Sequence, residues 1–161
     1  MTTGQSCSYL GVNAHFQYGV AERRIWELQE LARTMMIHAH ARWPEAITAN
    51  LWPYAMRLAC EAYNKTPLKS MQLSRIEVFS KSAVIPDPKH WRPFGCPVYV
   101  LDSALQNAGG IKHKWSECSR VGVYLGRSPF HARSISLVLN LTTGRVCLHS
   151  FMFNLIHPSR C

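Results

Sequence analysis

Four prolines, Pro86, Pro88, Pro93 and Pro97, fall within one short stretch and divide the chain. Proline lacks a backbone N–H and its ring collides with the preceding turn, so no long helix can cross this region. The hydrophobic pattern differs on its two sides. Before Ser80 the apolar residues recur every three or four positions; after Val98 they are β-branched or aromatic and come in short runs. The fold class expected is therefore α+β, helices first and strands second.

On the helical side, Ala21, Ile25, Leu28, Ala32, Met35 and Ala39 form one stripe, which predicts a helix of about five turns with one buried face. Pro44 ends it, because the residue before a proline avoids the helical conformation. The next pattern, Ile47, Leu51, Tyr54, Leu58 and Ala62, predicts a second helix over residues 45–64, with Pro53 signalling a kink or a late start. Ser74 is placed to cap a short helix through Phe79. Trp43 and Trp52 read as core residues.

On the strand side, residues 98–101, 121–125 and 135–141 read as strands. Thr142-Thr143-Gly144 turns the chain into residues 145–148, a β-hairpin. Short strands separated by turns suggest a small barrel or sandwich. The expected organisation is a helical segment over residues 1–80, a linker over 81–95 and a β module over 96–156.

The formal charge of the 161 residues is +9, and its distribution says more than its size. Residues 1–64 hold five Lys/Arg and five Asp/Glu, whereas residues 65–161 hold thirteen against four. An anionic partner is expected to meet the C-terminal portion. The six cysteines are widely spaced without a C-x-x-C pair, which favours reduced thiols and an intracellular location over a disulfide scaffold or a structural zinc site. No apolar run reaches the ~18 residues of a membrane span. His38 and His40 lie two apart on a helix and so face different ways, a poor pair for one metal ion.

Several separate words, in order, resemble one family. GVNAHFQYGVAERRIWELQELARTMM is similar to the end of the catalytic core of integrases from copia-type LTR retrotransposon Pol polyproteins. WPEAITANLWPYAMRLACEAYNKTP, HWRPFGCPVYVL, SRVGVYLGRS and ISLVLNLTTGRV continue the resemblance over residues 11–148. It implies the C-terminal helices of an RNase H-like core followed by an SH3-like β-barrel module. It also implies a role in DNA integration and, for a working protein, a nuclear location.

By the same resemblance Glu22 corresponds to the last carboxylate of an Asp-Asp-Glu triad that holds Mg²⁺. Two such ions clamp a phosphodiester and activate the attacking oxygen, and Mg²⁺ demands converging oxygen ligands. A glutamate in a first helical turn also favours the helix dipole by ~0.3–1 kcal/mol with no further role. The two aspartates of this chain, Asp87 and Asp102, both follow Glu22, so the expectation is a catalytic position that cannot catalyse alone. Two arginines beside it, Arg23 and Arg24, and six cations of the β module, Lys112, Lys114, Arg120, Arg127, Arg133 and Arg145, are the candidate DNA contacts. They would neutralise phosphates without reading sequence. The alternatives are a piece of an active Mg²⁺-dependent integrase with its aspartates encoded upstream, and a decayed interaction module without a nucleic-acid role. Self-association is expected through the Ile25–Leu28–Met35 face, left without the sheet it would cover.

Overall fold

The computed structural model describes residues 19–83, 91–101, 115, 117–132, 134–150 and 152–153. It is an α+β fold. Helix α1 spans Gly19–Arg42, a 3₁₀ turn Ala49–Leu51 leads into α2, Trp52–Lys65, and α3 is Arg75–Ser80. Strands β1 (Pro97–Leu101), β2 (Ser119–Arg127), β3 (Ser136–Asn140), β4 (Val146–His149) and β5 (Met152–Phe153) follow.

The second helix starts seven residues later than the apolar pattern suggested. Pro53 has no N–H to give to a helical carbonyl, so it is accommodated only in the first turn, where that donor has no partner anyway. Ile47 and Leu51 are still buried, but from the connection before α2. Helix α3 begins as expected at Ser74. The Ser74 hydroxyl accepts from the Glu77 N–H, and the Glu77 carboxylate accepts from the Ser74 N–H at 2.8 Å, a reciprocal capping box.

Helices α1 and α2 pack through small residues. Ala32 and Ala39 of α1 and Ala55 and Ala59 of α2 are buried, and Met35 and Met36 fill in beside them. Burial is confined to the C-terminal part of the α1 stripe. Ile25 is exposed, whereas Met35 already packs on the core, so the face expected to be open is open only at its first turns. Trp43 meets its expected place: it packs on the core and its indole N–H donates to the Gly95 carbonyl at 2.9 Å. Trp52 does not. As the first residue of α2 it stands at the open helix end, 60% exposed, and lines an apolar groove of about 420 Å³ with Met36 and Met56.

The strands form one antiparallel sheet in the order β4-β3-β2-β1-β5. Among the described residues its edges, β4 and β5, do not pair, so by hydrogen bonding the sheet is open where a closed barrel was expected. It is nevertheless strongly coiled. In the register, His149 lies opposite Ser136, and Ser136 lies opposite Arg127, seven residues along β2 from Arg120. On a flat sheet that separation is about 23 Å at ~3.3 Å per residue. Yet an Arg120 Nη2 lies 3.3 Å from His149 Nε2, so the sheet must curl back on itself. Gly122 to Gly126 of β2 are all buried in succession, with α2 packed on this strand.

Helices and sheet share a single hydrophobic cluster, in which Ala39, Leu58 and Ala59 meet Phe94, Cys96, Val98, Val123 and Leu125. The segment assigned to a linker supplies part of this contact. Residues 84–90 lie outside the described residues, but Phe94 and Gly95 are buried. Gly95 has φ +80, and a Cβ there would sit 2.4 Å from the Ala39 Cβ and 2.9 Å from its Cα. Only glycine allows α1 to come this close.

Candidate nucleic-acid interface

Glu22 sits in the first turn of α1, exposed to solvent. Among the described residues its carboxylate has no hydrogen bond or ion pair, and no group of three His, Cys, Asp or Glu side chains gathers anywhere. Asp87 and Asp102 lie outside the described residues. One carboxylate does not supply the converging oxygens that Mg²⁺ takes, so among the described residues the donor set is incomplete and no catalytic step is drawn through it.

The neighbouring arginines are exposed and pair along their own helix. Arg23 lies 3.5 Å from Glu27, and Arg24 pairs with the same carboxylate. Arg24 also lies over the Tyr63 ring of α2, 4.7 Å from its centre. A second guanidinium, from Arg75 of α3, lies 3.7 Å from the centre of that ring. Arg75 donates to the carbonyls of Tyr63 (3.0 Å) and Thr66 (3.4 Å), placing a cation on the electronegative end of α2. One turn of helix thereby ties α1, α2 and α3 together.

Further cations collect where α2 meets β2. Lys65, at the end of α2, pairs with Glu61 one turn earlier, and its ammonium lies 5.0 Å from the centre of the Trp91 ring. Residues after Trp91 run beside the end of β2: Gly95 N–H donates to the Tyr124 carbonyl at 2.9 Å, and Tyr124 N–H donates to the Cys96 carbonyl at 3.0 Å. Burial pushes the Tyr124 hydroxyl above the ordinary phenol value of 10.0. Arg127 opposes the rise, Glu61 and Cys96 add to it, and Arg92 opposes it again.

The aim of Arg127 depends on a bulge. Tyr124 lies opposite Val138 and Gly126 opposite Leu137, so β2 carries one extra residue between them. Gly126, at φ +126, has the backbone conformation that only glycine takes readily. In an unbroken strand Tyr124 and Arg127 would face opposite ways. With the extra residue they share one face of the sheet.

The other expected contacts divide. Arg120 is exposed and spends its guanidinium on His149. Arginine can only donate, so His149 Nε2 accepts and that ring is neutral. Burial, and then the Arg120 charge, hold the His149 pKa below the usual 6.5. Arg145 is exposed at the β3–β4 turn, whose Gly144 N–H donates to the Asn140 carbonyl at 2.8 Å. Lys112, Lys114 and Arg133 lie outside the described residues. Sequence reasoning passed over Lys65, Arg75, Arg92, Tyr63 and Trp91. The Trp-Arg-Pro-Phe-Gly run was a usable signal, since a cation beside an aromatic and a glycine suits a close approach, but nothing in sequence ties it to Lys65. No family model, curated protein or solved structure matches the chain.

Proposed function

We propose that this chain is an integrase-derived DNA-binding protein of the copia type that contacts duplex phosphates without reading sequence and does not catalyse alone. The observation that carries this reading is the set of cations, Lys65, Arg75, Arg92 and Arg127, carried with the Tyr63 and Trp91 rings by the end of α2 and the segments beside it. Cations interleaved with aromatics are the composition of a nucleic-acid surface, and the excess charge of +9 acts in the same direction. The SH3-like identity of the second part draws support from a four-strand meander whose fifth strand returns to pair with the first, over a long bulged β2, in a sheet that curls back on itself. The RNase H-like identity of the first part rests on the sequence resemblance.

Binding of the purified chain to a duplex oligonucleotide over a salt series tests the proposal. The logarithm of affinity is expected to fall linearly with that of salt, by about 0.9 for each phosphate neutralised. No binding at low salt, or binding indifferent to salt, overturns it. One observation favours the active-integrase alternative: Glu22 projects from a first helical turn, free of partners among the described residues, where a metal ligand would stand. An open upstream reading frame with two aspartates ahead of GVNAHF supports that alternative, and a stop codon there ends it.

A further inference from the structure

We propose that the seam between the end of α2 and the end of β2, where Lys65 pairs with Glu61, Arg92 follows the Trp91 ring beside that ammonium and Arg127 ends the strand alongside, seats one backbone phosphate of bound DNA. The inference rests on the DNA-binding reading and sharpens it, because it puts a contact in the joint between helices and sheet and not on the turns of the β module.

Three observations converge. The first is charge. Arg23 and Arg24 share Glu27, and Arg33 and Lys65 each pair with a glutamate on their own helix, but among the described residues neither Arg92 nor Arg127 has a carboxylate partner. The three seam cations and Glu61 leave two positive charges uncompensated. The second is burial. The Lys65 and Glu61 side chains are each 27% exposed, and Arg92 and Arg127 are half-buried, so these charges repel through a medium less screening than water. A phosphodiester removes one of those charges, and a guanidinium can meet its two anionic oxygens in parallel.

The third observation is construction. The bulge at Gly126 turns Arg127 to the face of Tyr124, the Gly95–Tyr124 and Tyr124–Cys96 hydrogen bonds hold residues 91–96 alongside, and Trp91 lies beneath the Lys65 ammonium. The cations therefore come from three separate elements whose backbones are held together.

The test uses the full chain and a 20-base-pair duplex, read by fluorescence anisotropy over a salt series. Lys65→Gln, Arg92→Gln and Arg127→Gln are compared with Arg33→Gln, whose guanidinium faces Glu30 on α1, and each variant is checked for folding by thermal melting. Each seam variant is expected to weaken binding about 3–10-fold and to lower the salt slope by about one, with Arg33→Gln unchanged. Arg127→Lys keeps the charge and is expected to keep most of the slope. Should Arg127→Gln fail to fold, the variants at Lys65 and Arg92, on other elements, decide alone. Seam variants that fold and bind like the parent overturn the inference. If Arg120→Gln or Arg145→Gln then weakens binding, the DNA reading stands with its contacts on the β module. If the parent chain does not bind the duplex at all, both fall.

Discussion

Two short segments, GVAERR at the start of α1 and VYLGRS at the end of β2, both set a charged residue beside a glycine-containing turn. Their surroundings differ. Glu22 and the two arginines after it are exposed, and the arginines are satisfied by Glu27 on their own helix. Arg127 is half-buried, has no carboxylate partner among the described residues, and follows the part of β2 to which Gly95 and Cys96 are hydrogen-bonded. The first segment has a strong sequence motif, but its Glu22 has no partner among the described residues. The second has a modest motif and a site assembled by tertiary contact. The groups around a side chain decide what it does in this chain.

That contrast can be broken most sharply at Gly95, which holds the helices against the end of β2. Gly95→Ala forces a Cβ into Ala39 and strains a backbone at φ +80, and is expected to cost about 3 kcal/mol or more in urea denaturation. Adding Ala39→Gly should recover part of the loss, since the Ala39 Cα still stands 2.9 Å away. A neutral Gly95→Ala would mean that helices and sheet are not locked at this point. Gly126→Ala comes next, at about 1–3 kcal/mol for the strained φ. It should also weaken DNA binding as much as Arg127→Gln does, because the bulge aims that arginine. Trp43→Phe keeps the ring but removes the donor to the Gly95 carbonyl, with an expected loss of about 1–2 kcal/mol.

Acidification probes the coiled part of the sheet. The folded state holds the His149 pKa below the unfolded value near 6.5. Between the two values the unfolded chain binds a proton that the folded chain resists, so stability falls as pH drops through this window and is fully present above it. The urea midpoint is expected to drop between pH 7.5 and pH 5. His149→Gln, which can still accept from Arg120, should flatten part of that dependence. An unchanged pH profile in that variant would remove His149 as its source.

The smallest effect is expected at Glu22. Glu22→Gln should alter stability by no more than about 0.5 kcal/mol, as for other exposed positions away from special contacts, and should leave duplex binding unchanged. Mg²⁺-dependent strand transfer by the chain alone is expected to be absent. If it appears and Glu22→Gln abolishes it, the first segment has the active surroundings denied to it here.

Much of the architecture was open to sequence reasoning because it follows from local chemistry. The proline cluster separates helices from strands, Ser74 with Glu77 starts α3, and Thr142-Thr143-Gly144 turns β3 into β4, each by backbone geometry that a few neighbouring residues impose. The start of α2 was one local rule misjudged, since Pro53 confines itself to a first turn. What tertiary structure alone decided is everything that depends on distant residues meeting. Gly95 sits on Ala39, Arg120 reaches His149, and the bulge at Gly126 brings Arg127 round to the face of Tyr124. Spacing along a chain encodes periodicity and turns. It does not encode which charges are left half-buried without a counter-charge, because that depends on how the helices come down on the sheet.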